Sequence, residues 1–339
     1  MACSVVSFAP AVVARRRCNG GSCGSPGWGT KWSAAGARGS STSARASSTP
    51  STSSIEVITF DLDDTLWPTT PVVMAANQAF VDFCQARIPG FPDCAGVNEY
   101  MKRIRQERID ECSATNKKHY PLSFASLRIA GGYQAAIDVG FPSHDAIGVV
   151  ARGYHIAWIP TRGVAAAEHM FPGVRECFEA LRKNHPNALI GSITNGLGSA
   201  EGAGLGKYFD FEISADAALD EEVELHGDDA RKPGLYPYQV AVRKLQEIRG
   251  SSEIEIDHAR WIHVGDDLIN DCQFAKSFGA RAVRIMVPGV EPYVPGGGGG
   301  GYPGDPSRKE NELDLEKLVD ATLESVGELP ALLELWGGE

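Results

Sequence analysis

The first 55 residues of this chain contain no acidic side chain. They hold six basic ones (Arg15, Arg16, Arg17, Lys31, Arg38 and Arg45) and thirteen serines. An Arg-rich, Ser-rich stretch without acids has the composition of an organelle transit peptide and cannot build a core of its own. Residues 1–50 are therefore expected to be a leader, with the serine content favouring the chloroplast stroma over the mitochondrion. No apolar block of about 18 residues occurs anywhere, so no membrane-spanning helix is expected. The chain also has no CxxC pair. Past the leader its five cysteines (Cys84, Cys94, Cys112, Cys177 and Cys272) are odd in number and scattered, which suits free thiols better than a disulfide frame or a zinc site. Positive charge is scarce as well. Beyond the leader, 26 basic residues face 43 acidic ones, a net charge of −17. Without a basic patch, such a surface does not suit nucleic acid and favours divalent cations instead.

What remains is an alternation of two patterns. Short apolar segments at Ile55–Phe60, Ala188–Ile193, Phe209–Ser214, Trp261–Val264 and Ala280–Met286 read as buried strands. Between them lie helical patterns at Val174–Lys183, Tyr236–Ile248 and Asp271–Phe278, punctuated by Pro before and Gly after. This order predicts an α/β fold, a doubly wound and mostly parallel sheet with helices on both faces. The gap after the first strand is far too long for a crossover. Val72, Val73, Ala76, Phe80 and Phe83 keep helical spacing, Met101, Ile104 and Ile109 continue it, and Leu122–Val139 and Ala146–Ile159 add two more helices. Residues 70–165 are thus expected to form an all-helical lid, with residues 51–69 and 166–339 forming the core domain. The run Gly296–Gly301 lacks the Lys-Ser/Thr ending of a phosphate loop and reads as a surface loop. Asp320–Leu333 offers a last short strand and helix.

Four motifs fall where strands should end. Asp61-Leu62-Asp63-Asp64-Thr65 closes the first strand, and alternation along it puts Asp61 and Asp63 on one side. Open α/β sheets bind their ligands at such ends. Two carboxylates there suit a covalent reaction, one as nucleophile and the other trading a proton with the leaving group. The second strand ends in Thr194-Asn195-Gly196, where a hydroxyl and two backbone N–H groups can meet a phosphate oxygen. Lys232, before Pro233, can neutralise both an attacking carboxylate and a transferring phosphoryl group. The fourth motif runs His263-Val264-Gly265-Asp266-Asp267 towards Asp271. Clustered carboxylates at a strand end are costly unless a cation sits among them, and Mg2+ needs only two or three. His263, inside the apolar strand, reads as a satisfied core residue.

In this order, the four motifs resemble those of the haloacid dehalogenase-like hydrolase superfamily. The resemblance spans the whole chain past the leader, and the helical insertion stands where that superfamily carries its C1 cap. It implies a Rossmann-like core with Asp61 as nucleophile and Asp63 as general acid/base. Thr194 and Lys232 would bind the phosphoryl group, with Asn195 and Gly196 beside them. Asp61, the backbone carbonyl of Asp63 and Asp266 would hold Mg2+, with Asp271 or Asp267 in support. True dehalogenases lack the second acid, because a halide leaves without a proton; Asp63 therefore points to phosphoryl transfer.

Phe60–Leu66, Ile193–Gly196, Gly204–Phe209 and His263–Asp267 also look like the bacterial flavin-pathway phosphatases and the plant chloroplast FMN hydrolases. That likeness implies a small-molecule phosphate ester as partner. FMN comes first, followed by the ribitylaminouracil phosphate of riboflavin synthesis and by sugar phosphates. A planar isoalloxazine wants aromatic walls, for which Trp67 is the first candidate, then Tyr120, Phe124, Tyr133 and Trp158, with Arg128 for a ring oxygen or phosphate. A phosphotransferase using the same residues, and a non-catalytic regulatory protein on this fold, are the competing readings.

Overall fold

Val57–Phe60 (β1) is buried along its whole length, as a strand covered on both faces must be. Its side chains alternate between two cores. Ile58, Phe60 and Leu62 join one, while Val57 joins the other. The computed structural model describes residues 55–115, 123–216, 230–251, 255–290 and 314–337. The leader, Tyr120, Leu122 and the glycine run lie outside these.

Six parallel strands form one sheet: β1, β2 (Leu189–Thr194), β3 (Phe211–Ser214), β4 (Trp261–Gly265), β5 (Arg281–Ile285) and β6 (Ala321–Leu323). Their order across the sheet is β3-β2-β1-β4-β5-β6. This is the doubly wound order, and its switch point lies at β1, between β2 and β4. Helices cover both faces. Phe178 and Leu181 of the helix Val174–Asn184 pack on one face with Leu329 and Leu333, and Ala241 and Leu245 of Tyr236–Arg249 pack on the other. Each fully buried aliphatic or aromatic side chain of this kind contributes roughly 1.5–3 kcal/mol.

The insertion after β1 has only helices as regular elements among its described residues. It comprises α1 (Thr69–Gln85), α2 (Cys94–Ala114), α3 (Phe124–Asp138), α4 (Ser143–Gly153) and α5 (Ile159–Glu168). It has its own apolar cluster, with Phe80, Val81, Ile88, Val97, Ala135, Val150 and Trp158 at its centre. The single helix expected over Ala146–Ile159 is instead two, joined by the wide turn Tyr154–Trp158. Pro160, which has no N–H to give, stands just beyond that turn, where a regular α-helix would lose a hydrogen bond.

Candidate active site

β1 hands the chain to a tight flap over Asp61–Trp67. The backbone N–H of Asp64 donates to Trp67 O at 2.8 Å and that of Leu66 to Leu62 O at 2.9 Å. Asp64 takes a positive φ of 60°, which Asp tolerates better than most residues, and its carboxylate accepts from the N–H of Thr69 to start α1. The flap separates the two carboxylates that the sequence pairs. Asp61 turns into the sheet end, and Asp63 faces the insertion.

Asp61 accepts a hydrogen bond from Lys232 Nζ at 2.7 Å, and the same ammonium donates to Asp271 Oδ1. Lys232, Asp271 and Asp61 are all buried. Carboxylate oxygens of Asp61, Asp266 and Asp271 come within 4.8 Å of one another. Burial, opposed by Lys232, pushes the Asp61 carboxyl up to about 7. Burial and the neighbouring acids Asp271, Asp61, Asp64 and Asp267 raise Asp266 well above the usual range. Burial alone would raise Asp271 too, but Lys232 and His263 hold it down at about 2. Burial works against the Lys232 charge, yet Asp271 and Asp61 more than offset it, and its pKa rises. If fully ionised, the three carboxylates against one ammonium would leave two negative charges, which one divalent cation would cancel. The donor set is all oxygen, as a hard cation requires.

A buried chain of hydrogen bonds stands behind Asp271. Trp261 Nε1 donates to the Thr59 hydroxyl at 2.9 Å, and Thr59 lies 2.9 Å from His263 Nδ1. His263 Nε2 faces Asp271 Oδ1 at 3.3 Å. Since an ionised Asp271 only accepts, the proton belongs on Nε2, and Thr59 then donates to Nδ1. Thr59 and His263 are cross-strand neighbours in the β1–β4 register, and burial lowers the His263 pKa. His263 is the satisfied core residue its strand position predicts. Gly265 is required here, because a Cβ would collide with the Asp271 carboxylate.

Asp63 has different partners. Its Oδ1 accepts from Trp67 Nε1 at 3.0 Å, and Arg162 Nη2, from α5, donates to Oδ1 and Oδ2 at 2.8 and 2.6 Å. Its carboxylate therefore stands outside the Asp61–Asp266–Asp271 cluster, leaving its backbone carbonyl for any role beside a metal. Gly196 makes room for it, since a Cβ there would lie 2.6 Å from Asp63 Oδ2.

The sequence-based assignments of Trp67 and Gly196 need correction. Trp67 is fully buried in the core, so it offers no face to a planar ligand; its indole N–H holds Asp63 instead. The Asn195 side chain is spent on Lys232, accepting from its N–H at 2.8 Å and donating to its carbonyl at 2.9 Å. It positions the lysine. The Gly196 N–H donates to Thr194 Oγ1 at 3.2 Å, which leaves the Thr194 hydroxyl hydrogen to be donated elsewhere. Asp267 caps the turn of helix that follows β4, accepting from the N–H groups of Ile269 and Asn270, while Asp271 faces the acidic cluster. Of the other aromatic candidates, Trp158 is buried against Tyr154 and Arg128, and Phe124 and Tyr133 are half-buried.

Comparison with known proteins agrees with this geometry. A family model described as haloacid dehalogenase-like hydrolase matches residues 55–279. The chain belongs to the haloacid dehalogenase-like hydrolases. It is 29% identical over 231 residues to the 5-amino-6-(5-phospho-D-ribitylamino)uracil phosphatase YigB of Escherichia coli (strain K12), covering 68% of this chain and 83% of that protein. The crystal structure of 2-haloacid dehalogenase from Pseudomonas syringae pv. Tomato DC3000 superimposes with a TM-score of 0.55 at 25% identity, covering 83% of this chain and 99% of the other. A member of this family with its acids in this arrangement is a hydrolase built around β1.

Two links between insertion and core were not read from the sequence. One is Arg162, whose contact with Asp63 bridges 99 residues. The other is Asp216, just past β3, which accepts from the backbone N–H groups of Phe124 and Ala125 and from Arg231. A core carboxylate thus caps α3 of the insertion, where the helix dipole favours negative charge.

Proposed function

We propose that this chain is a Mg2+-dependent phosphomonoesterase that works through an aspartyl-phosphate on Asp61. The observation that carries this reading is the division of labour within the first motif. Asp61 is held by Lys232 among charges that call for a cation, and Asp63, two residues on, is held apart from them. Asp61 Oδ attacks phosphorus, the ester P–O bond breaks, and the departing oxygen takes a proton from Asp63. Water then gives a proton to Asp63 and attacks phosphorus, the bond to Asp61 breaks, and inorganic phosphate leaves. Lys232 offsets charge on the nucleophile and on the phosphoryl oxygens, and Thr194 donates its hydroxyl to one of them. Asp61, Asp266 and the Asp63 carbonyl would hold Mg2+ with Asp271 in support; when bound, the ion neutralises phosphoryl charge. The helical insertion acts as a cap that keeps bulk water from the reaction. A dehalogenase would gain nothing from Asp63, because a halide leaves unprotonated.

Among phosphate esters, we favour FMN, hydrolysed to riboflavin and phosphate. The flavin-pathway character of the four motifs supports this. The activity of the Escherichia coli relative supports the second reading, ribitylaminouracil phosphate, and both substrates are 5-phosphoribityl esters. The acid-free leader supports import into the chloroplast stroma, which a reporter fused to residues 1–60 would test. Purified protein starting near Ser51 should release phosphate from FMN with Mg2+ and lose that activity on chelation. Release from no phosphate ester in a metabolite panel would overturn the phosphatase reading, and a preference for ribitylaminouracil phosphate would replace only the substrate.

A further inference from the structure

The insertion carries two buried guanidinium groups into a largely apolar bundle. Arg128 and Arg162 are only 6% and 5% exposed, and both lie against the Trp158 ring, at 4.2 and 5.7 Å from its centroid. Asn77 ties this group together, accepting from Trp158 Nε1 at 2.8 Å and from Arg128 Nε at 3.1 Å. Arg128 is thereby fixed within the insertion. Arg162 points out of it, towards Asp63.

Arg162 is incompletely used by this pairing. Its Nη2 donates to both oxygens of Asp63, but its Nε is buried with no hydrogen-bond partner among the described residues. Nε–H shares one edge of the guanidinium plane with one of the two N–H groups of Nη2, so the unpaired donor stands next to the nitrogen that holds Asp63. A buried donor left unsatisfied is costly and is ordinarily completed by something that binds. The candidate partner follows from what Asp63 does. On the phosphatase reading, on which this inference rests, Asp63 touches the ester oxygen of the leaving group. The next acceptor along that group is an oxygen on the adjacent carbon.

We propose that Arg162 is a specificity residue that recognises a hydroxyl on the carbon next to the phosphate ester. The substrate class is then phosphate esters of polyols and sugars, to which 5-phosphoribityl compounds belong, in preference to simple alkyl phosphates. One guanidinium edge serves both parts of the site, with Nη2 orienting Asp63 and Nε donating to the substrate hydroxyl. Trp67, which holds Asp63 from the buried side, orients the same carboxylate without reaching the leaving group.

The test is a ratio. Glycerol 3-phosphate and n-propyl phosphate are both primary alkyl esters and differ in the neighbouring hydroxyls, so each needs Asp63 equally. Wild-type protein should prefer glycerol 3-phosphate by about tenfold or more in kcat/KM, the scale of one hydrogen bond from a charged donor. Arg162→Gln should bring that ratio close to one, whatever loss both substrates share. Arg162→Lys guards against a misfolded variant: it keeps a cation beside Asp63 but has no second donor on a planar edge, and it should drop the ratio too. Trp67→Phe should keep the ratio while slowing both substrates. Release of no phosphate from any ester by wild type would overturn the phosphatase reading and this inference together. Equal wild-type efficiency on the two esters, or a ratio that survives in both Arg162 variants, would overturn this inference alone.

Discussion

The strand ends of the sheet and the helical insertion bring opposite charges to one place by different routes. At the sheet, Asp61, Asp266 and Asp271 sit among backbone groups and one lysine, and their negative charge exceeds what Lys232 offsets. In the insertion, Arg128 and Arg162 sit in a largely apolar bundle against Trp158, and Arg162 reaches across to Asp63. The first arrangement holds excess acid whose charge a proton or a divalent cation would offset. The second is nearly complete in itself and short of one acceptor. On the proposed reading, the core supplies the reacting groups and the metal site, while the insertion orients Asp63 and selects the leaving group.

The largest expected effect lies on the core side. Asp61→Asn is nearly isosteric and should leave the fold intact, yet lower kcat by about 10⁴-fold or more, as loss of a nucleophile does. Phosphate release at an undiminished rate would remove the core's claim to the chemistry. Lys232→Met should follow, with kcat down by about 10²–10³-fold, because a charged donor aimed at developing charge is lost. It should also destabilise the protein by about 3–5 kcal/mol in a denaturant titration, since Asp271 is left buried without its cation.

Metal and pH sharpen the comparison further. Asp61 sits near 3.8 when unfolded and near 7 in the metal-free fold, so the folded chain holds a proton that the unfolded chain releases. Stability of the metal-free protein should therefore fall as pH rises from about 4 to about 7. Mg2+ should restore it, and more strongly as pH rises. Asp271, held near 2, contributes with the opposite sign: its stabilisation is present above about 4 and is lost as pH falls towards 2. Thermal melts across this range, with chelator and with Mg2+, measure both limbs. A metal-free melting temperature that climbed from pH 4 to 7 would contradict the assignment of Asp61. The smallest effect belongs to the border between the regions. Trp67→Phe removes one donor to Asp63 and should cost about 1 kcal/mol of stability and a few-fold in kcat, with KM little changed.

The same contrast explains what could be read from the chain alone. The strands and the acids at their ends are legible from apolar runs and chain order, but alternation fails past Phe60, where the flap Asp61–Trp67 turns Asp63 away from Asp61 and towards Arg162. Strand ends fell within a residue or two of those expected, and the doubly wound order followed from βα alternation. The insertion was legible as helices, but its contacts were not. Trp67 looked like a wall for a flat ligand, because sequence shows an aromatic beside a motif and not which way its N–H faces. Arg162 and Asp216 carried no signal, since the residues they meet across the border are 99 and more than 90 positions away and no local spacing links them. The Tyr154–Trp158 turn was hidden for a related reason: Pro160 marks a break without telling how the neighbouring turn widens.

The central claim is that Asp61 becomes covalently phosphorylated during turnover. Acid-quenching the enzyme within milliseconds of mixing with a phosphate ester and Mg2+, followed by peptide mass spectrometry, tests this directly. The account predicts the mass of one phosphoryl group on the peptide that contains Asp61, lost once the ester is consumed and absent in Asp61→Asn. Sustained phosphate release with that peptide unmodified at every quench time would contradict it.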